Sequence, residues 1–201
     1  MAAVGGLTPR DAAAILWLVW IVSWLGAALW SARTVARPRA GRQLAYRALG
    51  FAGGALMFGT WNVEEPRFRL ASATAWAMVA VIAAGQVFSW WARIYLGRLW
   101  SSTVTRKAGH RLIDTGPYAA VRHPIYTGLI LSMGATAVVG GSLGALAGAA
   151  LITFGWYIKA RLEEGFLGEE LGQETYDAYA RRVPMLVPLM RGRRGDGTGP
   201  T

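Results

Sequence analysis

Two short segments hold most of the polar side chains that could take part in chemistry. Arg122 and His123 directly precede Pro124, and Glu163 and Glu164 lie next to each other further along the chain. An arginine guanidinium donates in a fork that matches a carboxylate or a phosphate, and a carboxylate accepts hydrogen bonds or holds a cation. Because neighbouring residues on a helix point about 100° apart, we expect only one of the two glutamates to face a given ligand.

A proline-containing turn leads into the first of these segments. Gly116-Pro117 is a typical turn signal, and Pro124 fits the first turn of a helix, where its missing N–H costs nothing. His123 would then lie near the N-cap, beside a helix N-terminus that attracts anions, and Arg122 would add a donor for the same anion. The alternatives are that Gly116-Pro117 only punctuates a loop, that Arg122 reaches lipid phosphate and that His123 only caps the helix.

The glutamate pair also has two interpretations. In the first, it is a solvated acidic pair that offsets the charges of Lys159 and Arg161. In the second, it is functional, because carboxylates just inside a membrane are costly and tend to be paired or to serve a site. One carboxylate could then accept from a ribose hydroxyl, bind an amine, or hold Arg122 or His123 in place.

These segments must be positioned by apolar helices. The chain has 201 residues, 54% of them hydrophobic, and four stretches carry no charged side chain: residues 12–32, 48–63, 70–92 and 124–158. A bilayer core of about 30 Å needs about 20 apolar helical residues, and so short a chain cannot enclose several such helices in a soluble core. We therefore expect an all-α, polytopic integral membrane protein.

Basic residues alternate with the apolar stretches. Arg and Lys cluster in residues 33–47, 93–122 and 159–194, whereas residues 64–69 hold two acidic and two basic side chains. By the positive-inside rule, the N-terminus is outside and the C-terminus is cytoplasmic. The net charge of +10 then reports topology and attraction to anionic lipids, and nucleic-acid binding is not expected. The Ala-, Arg- and Gly-rich composition indicates a bacterial inner membrane.

Five transmembrane helices are predicted. The first three cover residues 12–32, 45–62 and 70–95, and a turn at Gly140-Gly141-Ser142 divides the long apolar stretch into a hairpin of two short helices. A single helix over that stretch would be about 52 Å long and would put the flanking basic segments on opposite sides. An amphipathic helix over residues 159–182 is expected to end before Pro184.

This hairpin brings the two polar segments together. Both lie at its open end, so we place the candidate site on the cytoplasmic face. The chain divides into an N-terminal two-helix hairpin (1–69), a membrane core that holds the candidate site (70–190) and a flexible tail (191–201). It has no cysteine and only two histidines, His110 and His123, so disulfides, thiolate nucleophiles and a metal site are not expected.

Six motifs in order carry a resemblance to a known family. The region from Gly85 to Pro188 resembles the isoprenylcysteine carboxyl methyltransferase family, which belongs to a wider group with phospholipid N-methyltransferases. The motifs are Gly-His at 109–110, Gly-Pro-Tyr at 116–118, Arg-His-Pro-x-Tyr-x-Gly at 122–128, Glu-Glu at 163–164, Tyr-x-x-Tyr at 176–179 and Val-Pro-x-x-x-Pro at 183–188. The first two helices match only as generic spans.

The resemblance implies a membrane methyltransferase that uses S-adenosylmethionine and takes a lipophilic acceptor from the bilayer, with a carboxylate such as that of an isoprenylcysteine as the methylated group. It implies Arg122, Glu163 and Glu164 as catalytic candidates. It implies a cofactor pocket of His110, Gly116, Pro117, Tyr118, His123, Pro124, Tyr126 and Glu164. For the tyrosines, anchoring at the membrane interface is the alternative.

Three other functions are weighed against this one. A phospholipid or thiol methyltransferase would use the same scaffold with another acceptor. An NADPH-dependent membrane reductase shares a similar C-terminal block but is normally much longer. A non-enzymatic membrane protein would give no reason to concentrate Arg122, His123 and the glutamates at one place. A carboxylate acceptor is already deprotonated at neutral pH, so the lack of a Ser-His-Asp set is no objection to methyl transfer.

Overall fold

The structure is a computed structural model that describes residues 6–29, 34–36, 40–59, 67–97, 100, 106–107 and 112–188. Within these ranges the chain is almost entirely helical, which confirms the all-α class. The elements in chain order are α1 (Pro9–Ala28), β1 (Thr34–Ala36), α2 (Ala40–Gly59), α3 (Ser72–Leu96), β2 (Arg106–Lys107), α4 (Pro117–Ala120), α5 (Pro124–Gly140), α6 (Leu143–Leu171) and α7 (Gln173–Arg182). The predicted tail lies outside the described residues.

Three of the described helices, α1, α3 and α6, are long and apolar enough to cross a membrane, and α5 is a shorter apolar helix. Helix α2 has 20 residues but is not among those three, and it carries Arg47 in its interior. The five spans, their orientation and the division at residue 69 therefore stay predictions.

The first helix begins three residues earlier than predicted. Pro9 opens it, and Thr8 caps it in a reciprocal arrangement with Asp11: the Asp11 N–H donates to Thr8 Oγ1 at 3.2 Å, and the Thr8 N–H donates to Asp11 Oδ2 at 3.1 Å. Such a capping box satisfies N–H groups that a helix start leaves free. The charged residues Arg10 and Asp11 thus belong to the first turn of α1, although the prediction started the helix after them.

Two glycine contacts bring the helices together in pairs. On α2, a Cβ added at Gly53 would lie 2.6 Å from the Gly148 carbonyl oxygen of α6, and one added at Gly85 of α3 would lie 2.4 Å from the Gly128 carbonyl oxygen of α5. Only glycine permits so close an approach. Helices α2 and α6 and helices α3 and α5 form the most extensive contacts among the described elements, so the N-terminal helices lie directly against the predicted core.

The predicted turn between the last two spans is confirmed. Helix α5 ends at Gly140, Gly141 takes a left-handed conformation with φ +71°, and the Ser142 side chain accepts from the Ala145 N–H at 3.0 Å to cap α6. Arg10 and Arg67 both donate to the Gly140 carbonyl, at 3.0 and 3.3 Å. These cations satisfy a carbonyl that the end of a helix leaves without an intrahelical partner.

The prediction of a separate amphipathic helix over residues 159–182 is wrong. Helix α6 runs without a break from Leu143 through the glutamate pair to Leu171. Gly172, with φ +90°, ends it, and the shorter α7 follows. No residue between the apolar and the polar part of α6 interrupts its backbone hydrogen bonds, so the helix continues out of its apolar part as one rigid rod of 29 residues.

Arg93, which the charge pattern counted in the basic cluster of residues 93–122, lies inside α3, within the predicted bounds of 70–95, and has 1% of its surface exposed. Its Nη1 donates to the Gly97 carbonyl at 2.7 Å and its Nη2 to the Ala27 carbonyl of α1 at 2.8 Å. Its guanidinium also lies 4.4 Å from the centroid of the Trp100 ring. Arg93 thus joins the end of α1 to the end of α3.

Candidate functional site

The Gly-Pro-Tyr motif packs α4 against the end of α3. Gly116 has φ +58°, and a Cβ there would lie 2.5 Å from the Tyr95 ring, so no larger residue fits. Pro117 is fully buried. The Tyr118 hydroxyl donates to the Ala92 carbonyl at 3.5 Å. Burial raises the pKa of Tyr118, so its hydroxyl stays protonated.

Arg122 makes three short hydrogen bonds within the chain. Its Nε donates to Glu164 Oε1 at 2.7 Å, and its Nη1 donates to the carbonyls of Ala180 and Val183 at 2.8 and 2.7 Å. The side chains of Arg122 and Glu164 are 11% and 9% exposed, so this is a nearly buried, charge-assisted contact. Arg122 therefore links a carboxylate of α6 to the C-terminal end of α7.

His123 lies between the two glutamates. Its Nε2 is 3.2 Å from Glu164 Oε1, and its Nδ1 is 3.7 Å from Glu163 Oε2. The two nitrogens of an imidazole point in different directions, so one ring contacts both carboxylates. The expectation that only one glutamate faces a given ligand stays a prediction. The possibility that Glu164 holds Arg122 and His123 in place is confirmed. The His123 side chain does not cap α5.

Tyr126 belongs to the same group of side chains. Its hydroxyl donates to both oxygens of Glu163, at 2.7 and 2.9 Å. Its ring stacks on that of His123, with centroids 5.5 Å apart and planes 9° from parallel, and on that of Trp156, at 6.4 Å and 7°. The rings of His123, Tyr126 and Trp156 therefore lie nearly parallel to one another at the site.

A C-terminal segment covers the start of α5. The N–H groups of Arg122 and His123 donate to the carbonyls of Pro184 and Met185 at 2.9 and 3.1 Å. The Thr127 hydroxyl donates to the Leu186 carbonyl at 2.7 Å. We call residues 183–186 the C-terminal strap. The strap satisfies N–H groups beside the predicted anion site with carbonyls of the chain itself, so a direct role of Arg122 or of these N–H groups in ligand binding stays a prediction.

The two tyrosines of α7 connect the strap region to α4. The Tyr179 hydroxyl donates to the Tyr118 carbonyl at 2.7 Å, and Tyr176, Tyr179 and Val183 form a small buried cluster. The Tyr-x-x-Tyr motif thus packs against the Gly-Pro-Tyr motif. Burial raises the pKa values of Tyr176 and Tyr179, which keeps both phenols neutral.

The structure brings most of the predicted site residues together. Arg122, His123, Tyr126, Glu163 and Glu164 form one contact group. The other predicted residues that are described support it from α4 and the start of α5: Gly116, Pro117, Tyr118 and Pro124, of which both prolines are fully buried. His110 lies outside the described residues.

Three members of this group were not predicted. Lys159 lies 3.8 Å from Glu163, and its ammonium is 5.1 and 5.9 Å from the ring centroids of Tyr126 and Tyr46. Trp156 extends the ring stack. The helix predicted over residues 159–182 already placed Lys159 and Glu163 at i,i+4 spacing. Nothing in the sequence indicates that Tyr46, on α2, would reach the site.

Comparisons with known proteins match this part of the chain. Residues 77–168, which run from α3 into the last turn of α6, match the model of the isoprenylcysteine carboxyl methyltransferase (ICMT) family. Protein-S-isoprenylcysteine O-methyltransferase B of Arabidopsis thaliana is 30% identical over 115 residues, which cover 56% of this chain and 58% of the relative.

Two bacterial relatives match similar lengths. Methanethiol S-methyltransferase 2 of Bradyrhizobium diazoefficiens is 43% identical over 79 residues, 38% of this chain and 29% of the relative. Cobalt-zinc-cadmium resistance protein CzcN of Cupriavidus metallidurans is 30% identical over 105 residues, 51% of this chain and 48% of the relative. In each case the match spans well under two thirds of the relative's length.

The matched region contains every residue of the contact group that sequence analysis predicted, including the carboxylates, His123 and Arg122. It is also the region whose motifs carried the resemblance. Residues 77–168 of this chain are therefore similar to the isoprenylcysteine carboxyl methyltransferase family.

Proposed function

We propose that this protein is an integral membrane methyltransferase that transfers a methyl group from S-adenosylmethionine to the carboxylate of a lipophilic acceptor. The observation that carries the proposal is His123, which lies between Glu163 and Glu164 at one end of a stack of parallel rings, within the part of the chain that matches the family model. The methyltransferases among its relatives support the reaction class.

The residues present fit S-adenosylmethionine. The face of the Tyr126 ring already has the Lys159 ammonium 5.1 Å from its centroid, and an aromatic face that attracts an ammonium also attracts a sulfonium. The carboxylates of Glu163 and Glu164 are acceptors for ribose hydroxyls or an amino group, and His123, Tyr126 and Trp156 offer flat surfaces for a purine. When bound, S-adenosylmethionine supplies an electrophilic methyl group on a positively charged sulfur.

The chain's own residues would bind, orient and desolvate the reactants. Arg122 and His123 fix the Glu164 carboxylate by contacts of 2.7 and 3.2 Å, and Tyr126 fixes that of Glu163. The strap covers the site from the C-terminal side. Positioning and exclusion of water can contribute much of the rate of such a displacement, and a carboxylate acceptor needs no general base.

The contacts of two arginines indicate at which end of the helices the site lies. Arg10 at the start of α1 contacts the turn after α5, whereas Arg93 joins the ends of α1 and α3, so the site lies at the end where α1 and α3 finish and α5 begins. We place this end at the cytoplasmic face, in a topology of five spans, because the basic segments cluster there. A lipophilic acceptor would then enter from the bilayer.

A methyl transferase acting on thiols is the second candidate. It is favoured by the 43% identity to methanethiol S-methyltransferase 2 over 79 residues. A thiol acceptor would have to lose a proton before or during transfer, since the thiolate is the nucleophile. The acceptor that the protein methylates, a carboxylate or a thiol, therefore distinguishes the two candidate functions.

Binding of the donor tests the reaction class. The purified chain in lipid nanodiscs is titrated calorimetrically with S-adenosylmethionine, S-adenosylhomocysteine and NADPH. We expect heat from both adenosyl ligands, and weaker binding by His123→Ala and Glu164→Ala with helical content retained. Arg182→Gln, at an exposed ion pair with Asp114, is the control and should bind as the unaltered chain does. Binding of NADPH alone would overturn the proposal.

A second experiment identifies the acceptor. Labelled S-adenosylmethionine is incubated with the protein and, separately, a farnesylated cysteine, an alkanethiol, phosphatidylethanolamine and a total lipid extract, and the products are identified by mass. A methyl ester from the farnesylated cysteine or a lipid acid is the expected product. Thioether formation alone would favour the thiol candidate instead.

A further inference from the structure

The middle of α3 holds a polar side chain that the proposed reaction has not used. Gln86 lies in this apolar helix of 25 residues and is 6% exposed. Within the described part of the chain, its Nε2 has no hydrogen-bond partner. A buried amide donor without a partner is destabilising, and more so in a helix that is long and apolar enough to cross a membrane. Packing alone therefore does not account for Gln86.

The polar side chains near Gln86 are bonded within the chain. The Ser89 hydroxyl donates to the Gln86 backbone carbonyl at 2.8 Å and accepts from Trp20 Nε1 of α1 at 3.2 Å. On α5, the Ser132 hydroxyl donates to the Ile82 carbonyl at 3.0 Å. These hydroxyl groups satisfy one another or the helix backbones, whereas the side-chain N–H groups of Gln86 are left over.

Helix α1 passes over this part of α3. Ile82, four residues before Gln86, shares a buried cluster with Ala13 of α1. Ser89, three residues after Gln86, bonds to Trp20. Because residues three and four apart lie on one face of a helix, Gln86 lies on the face of α3 that meets α1.

The same level of the bundle lies next to the candidate site. A Cβ added at Gly128 of α5 would lie 2.4 Å from the carbonyl oxygen of Gly85, the residue before Gln86. Gly128 is two residues after Tyr126, which is about 3 Å along the helix axis. Tyr126 also shares a buried apolar cluster with Trp17 of α1. Apolar side chains therefore connect the ring stack of the site with the inner face of α1.

We propose that the Gln86 side chain donates a hydrogen bond to a carbonyl oxygen of the methyl acceptor, an inference that rests on the proposed function and narrows its substrate class. The acceptor is then a lipophilic acid that carries an acyl carbonyl close to the methylated carboxylate. The carbonyl oxygen supplies the acceptor that the amide N–H lacks. Gln86 selects the substrate in this way and takes no part in the methyl transfer itself.

The tryptophans of α1 supply the apolar wall for the same ligand. Trp20 stacks on Trp24 with ring centroids 4.6 Å apart, and α1 precedes the segment that matches the family model. Because Gln86 Nε2 is enclosed in the structure, the acceptor reaches it when α1 moves away from α3. Two indole hydrogen bonds hold α1 in place, from Trp17 to Thr136 at 2.9 Å and from Trp20 to Ser89 at 3.2 Å.

The test compares two acids that differ by one acylamino group. N-acetyl-S-farnesylcysteine and S-farnesyl-3-mercaptopropionic acid are titrated into the full chain in nanodiscs that contain S-adenosylhomocysteine, so that no turnover occurs. A neutral hydrogen bond corresponds to a preference of about 3- to 10-fold for the acid with the carbonyl. Gln86→Met, an unbranched side chain of similar length without a donor, should reduce this preference to about onefold.

Thr153→Val is the matched control. Thr153 is a polar side chain in the apolar part of α6, and its hydroxyl donates to the Ala149 carbonyl of its own helix at 2.8 Å. This variant should keep the whole preference. Gln86→Leu is measured beside Gln86→Met, so that a packing fault in one variant does not decide the result.

The melting temperature without added acid gives a second readout. Since an unpaired donor is destabilising, both Gln86 variants should melt at or above the temperature of the unaltered chain. A clear decrease in both would mean that Gln86 already has a partner, such as a buried water molecule, and would overturn the inference. The inference also fails if both variants retain the preference, while the proposed function stands. If the unaltered chain binds neither acid and methylates none, the proposed function itself fails.

Discussion

Two arginines, the buried Arg93 and the nearly buried Arg122, have different roles in this molecule. Arg93 bonds to the backbone carbonyls of Ala27 and Gly97 and lies against Trp100, so it joins the end of α1 to the end of α3. Arg122 bonds to Glu164 and to two carbonyls near the strap. A guanidinium among carbonyls and rings is a fixed joint between helices. Arg122, which shares the Glu164 carboxylate with His123, instead connects the strap region to the candidate site.

The largest effect is expected from Arg122→Met. Removing one partner of a nearly buried ion pair costs about 3–5 kcal/mol, and here the loss also frees the end of α7. We expect amide hydrogen exchange in residues 176–186 to rise by more than tenfold and methyl transfer to fall with it. Hydrogen exchange read by mass spectrometry measures the first, and labelled donor the second.

Arg182→Met is the matched control, because it removes an exposed guanidinium from α7 itself. It should change neither quantity measurably. If Arg122→Met loses methyl transfer while amide exchange is unchanged, Arg122 acts on the ligand directly, as the sequence alone predicted. Arg122 would then differ from Arg93 by binding the ligand rather than by holding the strap.

Arg93→Met should have a smaller and different effect. It removes two hydrogen bonds from a charged donor, each contributing about 1.5–3 kcal/mol, but it also removes the cost of burying the guanidinium. We expect a net loss of about 2–3 kcal/mol in the free energy of unfolding, with the affinity for S-adenosylhomocysteine unchanged.

Denaturation in mixed detergent micelles, paired with calorimetric titration, measures both. If an Arg93 variant keeps its unfolding free energy but binds S-adenosylhomocysteine more weakly, the contact between α1 and α3 affects ligand binding. The distinction between a structural Arg93 and a site-linked Arg122 would then fail.

Local signals made part of the fold predictable. The turn after α5 is encoded by neighbours, since Gly141 adopts φ +71° and Ser142 caps the next helix. The end of α6 is not encoded locally, because three glycines, Gly165, Gly168 and Gly172, occur within eight residues and only Gly172 leaves the helical conformation. Which glycine ends a helix depends on what packs around it, and that is a property of the tertiary structure.

The candidate site, too, was predictable only in part. Topology predicted that Arg122 and His123 would approach the glutamates, because a helical hairpin brings both of its ends together. It did not predict which carboxylate would contact which partner, since a rotation of either helix by one residue changes every pair. The contribution of Tyr46 depends on the packing of α2 on α6 at Gly53 and Gly148, which no motif records.

The smallest effect, and the sharpest test of how the strap region is held, is expected from Tyr179→Phe. Its hydroxyl donates to the Tyr118 carbonyl at 2.7 Å, a bond that contributes about 1 kcal/mol, so amide exchange in α7 should rise far less than in Arg122→Met.

Burial raises the pKa of Tyr179 above the value of about 10 for an unfolded tyrosine. The folded state therefore favours the protonated phenol, and this contribution is complete below about pH 10 and is lost as the pH rises toward the folded pKa. The difference in unfolding free energy between the unaltered chain and Tyr179→Phe should consequently be constant from pH 7 to 9 and shrink above about pH 10. If the difference instead stays constant above pH 10, the folded phenol ionises as readily as the unfolded one and the Tyr179 hydroxyl is accessible to water.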